Sequence, residues 1–223
     1  MLTLVIDTST PAVTAGVYEV SGPGAVERLA DGAVVDARGH GEHLAPLIDG
    51  ALAEARVAPR DLAAVVAGLG PGPFTGLRVG LVTAASMSHA LGVPAYGVCS
   101  LDAVGFAAAG GGGPVLVATD ARRKEIYWGL YDSDGERLAG PEVARPAELP
   151  EAARAATRVV GDGALLYPEV FPDAKDEWRY PPPQVLAFLA SGRIAAKAPG
   201  EVLTPLYLRR PDVHVAGRQQ RMT

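Results

Sequence analysis

The sequence predicts an α/β fold built from two related domains, each with a mixed sheet. One observation is that short apolar segments alternate with segments whose apolar residues recur every three or four positions, as strands and helices do in α/β proteins. The other is a repeat. An apolar strand that ends in an aspartate and is followed by further strands occurs at residues 2–20 and again at residues 115–131. This repeat predicts that the second domain is a smaller, degenerate copy of the first.

The first half is predicted to run as three extended segments, a helix, a strand, a helix and a strand. Strands are expected over residues 2–6 and 12–20, and an extended segment with a turn at Asp31-Gly32 leads to about residue 38. An apolar stripe over residues 44–55 predicts a helix that Pro59 ends. A strand over residues 62–67, a glycine-rich loop, a helix over residues 74–91 and a strand over residues 93–98 complete this half.

Four consecutive glycines at residues 110–113 mark the predicted domain boundary, because such a run is costly to order and specifies no local structure. We therefore predict domains over residues 1–109 and 110–223. The second half is expected to contain strands over residues 115–119, 126–131, 137–143 and 158–160, with helices over residues 146–156 and 184–190. The segment from residue 205 onward has no pattern that predicts an element.

Composition excludes several classes of protein. The 223 residues carry a formal charge of −5, whereas a protein that binds nucleic acid by itself usually has a basic surplus. Cys99 is the only cysteine, which excludes an internal disulfide and a thiolate metal cluster. No apolar run reaches membrane-spanning length and the first residues do not resemble a signal peptide, so we expect a cytoplasmic protein. A local basic surplus occurs only near the end, from Arg193 to Arg221, where a solvated tail is the simpler interpretation.

Two segments are candidates for binding a nucleotide phosphate. Asp7, Thr8 and Ser9 follow the first strand, where a carboxylate beside hydroxyls can orient a phosphate or instead close an Asx turn. Gly70 and Gly72 lie in a loop before a helix, and such glycines let backbone N–H groups approach an anion. No lysine follows as in a P-loop, so the segment is not that motif.

Small residues recur at every fourth position from Gly72 through Gly76, Gly80 and Ala84. Glycine inside a helix costs about 0.5–1 kcal/mol relative to alanine, so this ridge predicts close approach of another helix or backbone. His40 and His43 are a second pair to consider. Their spacing of three differs from the usual spacing of four in a helical zinc site, and a capping or surface pair is the favoured interpretation.

Five segments together resemble the TsaB (YeaZ) family. They are LVIDTST at residues 4–10, HGEHLAPLI at 40–48, GLGPGPFTGLRVG at 68–80, ATDARR at 118–123 and LTPLYLR at 203–209. The resemblance covers nearly the whole chain, and the glycine-rich block is its most specific part. It implies two duplicated actin-like (ribonuclease H-like) domains. It also implies a cytoplasmic partner of TsaD, the enzyme that transfers threonylcarbamoyl to the adenosine next to the anticodon of tRNA, in a complex with the ATPase TsaE.

The resemblance further implies that this subunit is not itself the transferase. In TsaD, two histidines with three residues between them bind the catalytic metal, and the corresponding positions here are Ser100 and Val104, which are poor metal ligands. We therefore expect no intrinsic cofactor, with ATP or ADP bound only at the level of the complex, and contact with tRNA only through the complex. The alternative is a stand-alone ATPase or phosphotransferase that uses Asp7 and the glycine loops. A protease is disfavoured, because the sequence has neither a G-x-S-x-G elbow nor a visible metal motif.

The resemblance also implies that the first domain binds TsaD through contacts between helices, and that the chain can form a homodimer when TsaD is missing. We expect the two long helices of the first domain to form this interface. The residues predicted for it are His43, Leu44, Leu47, Ile48, Phe74, Gly76, Leu77, Gly80 and Ala84.

Overall fold

The computed structural model describes residues 1–209. These residues form two mixed β-sheets together with the helices that pack on them. The basic residues Arg210, Arg218 and Arg221, which contribute to the predicted basic end, lie outside the described residues. None of the helices within residues 1–209 is both long and apolar enough to cross a membrane.

The first sheet has five strands in the spatial order β3-β2-β1-β4-β5. β1 pairs antiparallel with β2 and parallel with β4, which in turn pairs parallel with β5. The two outer strands on the other side, β2 and β3, form a long antiparallel pair. The strands are β1 Leu2–Asp7, β2 Ala12–Gly22, β3 Ala25–Val35, β4 Ala64–Gly68 and β5 Ala95–Val98.

Helices cover both faces of this sheet, because alternate residues of its strands point to opposite sides. Leu4 and Ile6 of β1 pack in one core cluster with helices α1 (His40–Ala55) and α2 (Phe74–Leu91). Val5, between them in sequence, packs in another cluster with helix α6 (Pro183–Ala195). Both clusters are buried, so each strand of the sheet centre is apolar on both faces.

The second sheet has four strands in the order β8-β7-β6-β9, and it repeats the order and directions of β3-β2-β1-β4. This repetition confirms the predicted duplication. Helix α3 (Ser100–Ala108) contributes Ala103 to the core of the first sheet, and Leu101 and Val104 to that of the second. The remaining elements are β6 Val115–Asp120, β7 Ile126–Tyr131, β8 Arg137–Ala144, β9 Arg158–Val160, α4 Glu151–Arg154 and α5 Asp162–Leu165.

Three features differ from the sequence prediction. Asp31-Gly32 is not a turn: β3 continues through it, because the Asp31 carboxylate accepts a hydrogen bond of 2.6 Å from the buried Tyr18 hydroxyl. The helix predicted over residues 146–156 is reduced to a 3₁₀ turn and the short α4, since Pro150 precludes a continuous helix there. Helices α3 and α5 occupy segments for which no helix was predicted.

The boundary at residues 109 and 110 separates the two sheets, but the second half returns to the first domain. Helix α6 packs against the first sheet, where Leu186, Ala190 and Ile194 belong to its core. The predicted second domain, described over residues 110–209, is therefore not confined to the second sheet.

The last described segment ties the two halves together. The Glu201 side chain accepts a hydrogen bond from the Gly97 amide, and the Leu206 amide donates to the Leu69 carbonyl at 2.9 Å, both in the first domain. Arg209 then donates to the Ala121 carbonyl at 2.9 Å, in the second domain. Residues 201–209 thus run across the side of the molecule where the sheets meet.

Candidate functional site

Asp7 lies at the end of β1 in a closed network of hydrogen bonds. One carboxylate oxygen accepts from the Ser9 amide at 2.9 Å and from the Ser9 hydroxyl at 2.8 Å. The other accepts from the Ser100 hydroxyl at 2.5 Å. Ser100 begins helix α3 and also accepts from the Gly70 amide at 3.1 Å, so the network links β1, the glycine-rich loop and α3.

Burial sets the electrostatics of this network. The Asp7 side chain is almost wholly removed from solvent, and this burial raises the pKa of its carboxyl although the hydrogen bonds from Ser100 and Ser9 act in the opposite direction. The group therefore behaves as an internal structural carboxyl. Ser100 and Val104 lie one helical turn apart on α3, and both are buried: Ser100 is bonded to Asp7 and Val104 packs in the core of the second sheet.

The structure brings together all five residues predicted to bind a nucleotide, but it packs them against one another. A Cβ added to Gly72 would lie 2.8 Å from the Ser9 carbonyl carbon and closer still to its oxygen. A Cβ at Gly68 would meet the Asp7 carboxylate. The glycines are thus needed for close approach of the loop to the end of β1, and Asp7, Thr8 and Ser9 are buried beneath it. Their role in nucleotide binding stays a prediction.

The small-residue ridge on α2 also approaches β1. Thr8 donates its hydroxyl to the Gly76 carbonyl at 2.8 Å and accepts from the Gly80 amide at 3.0 Å. A Cβ at Gly80 would lie 3.3 Å from the Thr8 methyl group and closer to its hydroxyl oxygen. The close approach that the glycine spacing predicts is therefore made within the chain.

The predicted interface residues divide into two groups. The larger group faces the chain's own core, and this corrects its assignment to an exposed helix face: Leu44, Ile48, Gly76, Leu77, Gly80 and Ala84 are buried. The smaller group reaches the surface. His43 and Leu47 are partly exposed and Phe74 is 49% exposed.

His40 and His43 do not form a pair. The His40 ring contacts the Thr10 carbonyl at 2.8 Å, whereas the His43 ring faces the Asp36 carboxylate at 3.2 Å. Within residues 1–209, no group of three or more His, Cys, Asp or Glu side chains is placed to hold a metal ion.

Replacing Ser100 with alanine is expected to destabilise the chain by about 1–3 kcal/mol, because one Asp7 oxygen and the Gly70 amide lose their buried partner. The loss should grow with pH. Because the pKa of Asp7 is raised in the folded state, protonated Asp7 stabilises the fold, and this stabilisation is lost as the pH rises through the folded-state pKa. Above that pH the buried carboxylate is charged, and the loss of the Ser100 donor increases the free-energy cost of burying the charge. Urea unfolding of the wild type and of Ser100→Ala at about pH 4.5 and about pH 7.5 measures the difference in their free energies of unfolding.

Ser86→Ala is the matched control, since Ser86 is exposed on α2. It should change stability by no more than about 0.5 kcal/mol at either pH. An equal loss of stability in Ser100→Ala at both pH values would show that the Ser100 hydroxyl does not stabilise an ionised Asp7 carboxylate.

The corresponding place in the second domain has a different arrangement. Asp120 ends β6 as Asp7 ends β1, and its amide donates to the buried Asp162 carboxylate at 3.3 Å. Burial is the main cause that raises the pKa of Asp162 to about 6. The strand-end aspartate of the second domain, Asp120, is partly exposed, whereas Asp7 is buried.

A cavity that the sequence did not indicate lies beside the glycine-rich loop. It has a volume of about 400 Å³ and lies between the start of α2, the loop after β6 and the last described segment. Arg209 was interpreted as part of a solvated tail, but it lines this cavity together with Arg122 and Arg123. Eighty-eight residues separate Arg209 from Ala121, to which it is bonded, so no local signal could have joined them.

Comparison with known proteins agrees with this architecture. A family model described as "TsaD: tRNA N6-adenosine threonylcarbamoyltransferase" matches residues 34–198. The YeaZ structure from Pseudomonas aeruginosa superposes with a TM-score of 0.75 at 29% identity, covering 93% of this chain and 99% of that one.

Sequence relatives point the same way. An uncharacterized protein of Mycobacterium tuberculosis is 45% identical over 94% of this chain and 92% of the relative. An uncharacterized protein of Mycobacterium leprae is 44% identical over 95% of this chain, which spans only 55% of that relative's length. The tRNA threonylcarbamoyladenosine biosynthesis protein TsaB of Bacillus subtilis is 28% identical over 77% of this chain and 80% of the relative.

The repeated sheet order and the structural match define a two-domain α/β protein of the actin-like class, as the sequence predicted. Within that class, the chain belongs to the TsaB (YeaZ) family.

Proposed function

We propose that this chain is a non-catalytic partner subunit that binds a TsaD-type transferase and supports transfer of threonylcarbamoyl to tRNA. The proposal rests on which residues occupy the positions where TsaD has its metal-binding histidines, and on the contacts that these residues make. The Ser100 hydroxyl is hydrogen-bonded to Asp7, and Val104 packs in the core of the second sheet. These residues do not fit a catalytic metal, because neither valine nor a neutral, already bonded hydroxyl is an effective ligand.

The outer face of the α1–α2 layer supports a partner role. The two helices lie side by side on one face of the first sheet, and their outward residues are mostly small or apolar. On α2, Val82 is 59% exposed and is flanked by Arg78 and Ala85. Beside them a groove of about 430 Å³ runs between α2 and the last described segment. The exposed small residues of α1 include Ala45, Pro46, Gly50 and Ala53.

Such a face fits a second helical layer, because small side chains allow helix axes to approach closely. We propose that it binds the equivalent layer of a TsaD-type protein, and that in the absence of this partner the same face forms a homodimer of the isologous kind. A TsaE-type ATPase and tRNA would join this chain through the complex. ATP or ADP would bind at the level of the complex, and the site of action would be the cytoplasm.

Reconstitution tests the proposal. Threonylcarbamoyl transfer to tRNA is measured with purified TsaD, TsaE, ATP and the threonylcarbamoyl-adenylate synthase, with and without this chain. We expect threonylcarbamoyl transfer by the mixture only when this chain is present, and no transfer by the chain alone. Full activity without the chain would overturn the proposal.

A second assay addresses the alternative of a stand-alone ATPase or phosphotransferase. ATP turnover by the isolated chain is compared with that of Asp7→Asn. We expect neither protein to turn over ATP, because Asp7 is enclosed by Ser9 and Ser100. Turnover that is lost in Asp7→Asn would instead favour the alternative.

A further inference from the structure

Residues 201–209, which we call the strap, run beside helix α2 in the opposite direction to it. Near the end of α2, Val202 and Leu203 of the strap line a hollow of about 330 Å³ together with Ala85 and His89. Towards the start of α2 the strap lines the groove of about 430 Å³, which shares Leu203 and Ala85 with the hollow. The hollow therefore continues into the groove, with α2 as one wall and the strap as the other.

Exposed apolar side chains are concentrated along this groove. Within residues 1–209 seven large apolar or aromatic side chains are exposed, and four of them border the groove or its hollow: Phe74, Val82, Val202 and Tyr207. Val202 is 89% exposed, the largest fraction of the seven. A concentration of this kind is typical of a surface that binds another protein. The strap supplies two of the four side chains, so it is as much a part of this surface as α2 is.

The inward side of the strap is anchored in both domains. Leu203 packs against a core cluster of the first sheet, whereas Leu206 and Leu208 pack against the core of the second sheet. Tyr207 lies between these two leucines in sequence, and its half-exposed ring contacts Phe74 at a centroid distance of 5.1 Å. The second domain as well as the first therefore sets the position of the wall that the strap forms.

An ion pair fixes the end of the strap to the second domain. The Arg209 side chain donates to the Ala121 carbonyl at 2.9 Å and is paired with the Glu125 carboxylate. The two paired side chains are only 25% and 31% exposed, so salt screens their attraction less than that of a fully solvated pair. Glu125 lines neither the groove nor its hollow. It is therefore a positioning residue, at which the strap can be disturbed without a change in the groove itself.

We propose that the strap forms the second wall of the surface that binds the TsaD-type partner, so that partner affinity depends on how the second domain holds the strap. The occupant of the groove would be a helix of the partner's equivalent layer, because an apolar groove fits the apolar face of an amphipathic helix. The TsaD family model matches residues 34–198, which include α1 and α2, so a TsaD-type protein has such a layer to present. Residues 74–89 of α2 give the groove a length of about 22 Å, which accommodates about four helical turns.

The inference rests on the proposed function for the identity of the partner. Calorimetric titration of the full chain with a purified TsaD-type protein measures partner affinity, and sedimentation measures self-association without the partner. Tyr207→Arg places a cation in the wall that the strap forms. Its affinity for the partner should fall at least about tenfold, because the charge would be buried in the complex but is solvated in the free chain.

Glu125→Lys tests the dependence on the second domain. The new cation lies beside Arg209, and the repulsion should release the end of the strap. Partner affinity should fall about three- to tenfold although no residue of the groove has changed. Adding Arg209→Glu restores the ion pair in the reversed sense, and this double variant should recover part of the affinity that Glu125→Lys loses. Such a recovery distinguishes positioning of the strap from a general loss of stability.

Glu142→Lys is the matched control, because Glu142 is exposed on the edge strand β8 and the change alters the net charge equally. Its partner affinity should stay within about twofold of that of the wild type. Thermal unfolding confirms that each variant is folded. Loss of binding in Tyr207→Arg without any loss in Glu125→Lys would overturn the dependence on the second domain.

Two further outcomes separate this inference from the proposed function. If Val82→Arg loses partner binding whereas Tyr207→Arg and Glu125→Lys bind as the control does, the strap is not part of the interface and the proposed function stands. If the strap variants lose self-association but keep partner binding, the groove belongs to a second copy of this chain, and the inference is again overturned. A wild-type chain that does not bind the TsaD-type protein would overturn the proposed function itself, and this inference with it.

Discussion

Gly72→Ala is expected to destabilise the chain by about 3 kcal/mol or more, one of the largest effects of any single methyl group in it. The added Cβ would be placed against the backbone of Ser9, and a backbone carbonyl cannot rotate away as the end of a side chain can. The loop would have to lift from β1 and would disturb the bond between the Gly70 amide and Ser100. Thermal unfolding should show a midpoint about 10 °C lower.

Gly50→Ala is its matched control. Gly50 is exposed on α1, and no atom lies within 4 Å of the Cβ that the change would add. Alanine is the better helix former, so this variant should be more stable than the wild type by about 0.5–1 kcal/mol. A Gly72→Ala protein that unfolds at the wild-type midpoint would mean that the loop does not pack on β1 as described.

The parts of the fold that the sequence predicts well are those fixed by neighbouring residues. Helix α2 has the predicted bounds, because Pro73 precedes it and Gly92, in the left-handed conformation, ends it. The strand β1 and the hairpin of β7 and β8 were likewise found where the apolar pattern placed them. In each of these elements the signal and the structure lie within a few residues of each other.

The parts that were missed depend on contacts between distant segments. Asp31-Gly32 has the composition of a turn, but the bond from Tyr18 to Asp31 and the pairing of Gly32 with Ala15 keep β3 extended. The return of α6 to the first sheet follows no local pattern, because its apolar residues would suit either sheet.

The candidate site shows the same division. The sequence named Asp7, Ser9 and Gly72 as candidates for binding a nucleotide, and the structure places them in one neighbourhood, since a strand end and a glycine-rich loop of the same sheet edge meet. Their role in nucleotide binding stays a prediction. The sequence could not show that Ser100 closes the group, nor that Arg209 reaches the loop of Arg122. Both arrangements depend on how far-apart segments of the chain pack.

The helix faces were also beyond prediction, because a stripe of small residues suits a core and an interface equally well. Gly76 and Gly80 were predicted to contact a partner, and they instead contact Thr8. A bulky substitution at Gly80 would consequently test the stability of this chain and not the partner interface. The proposed interface must be probed at residues that the structure leaves exposed.

Val82→Arg is expected to weaken binding to a TsaD-type partner at least about tenfold while leaving the chain folded. Val82 is at the centre of the outer face of α2, and a buried arginine without a partner would cost far more in the complex than in the free chain, where the side chain is solvated. Calorimetric titration measures the affinity, and threonylcarbamoyl transfer at limiting concentrations of this chain should fall in parallel.

Leu138→Arg provides the matched control, because Leu138 is an apolar residue of β8 with an exposed fraction of 57%, almost equal to the 59% of Val82. Both variants add the same charge to an exposed apolar position, and both should unfold within about 0.5 kcal/mol of the wild type. Only Val82→Arg should lose partner binding and, in the absence of partner, self-association. Equal binding by the two variants would move the interface away from the α1–α2 layer, because a cation at its centre would then meet no opposing surface.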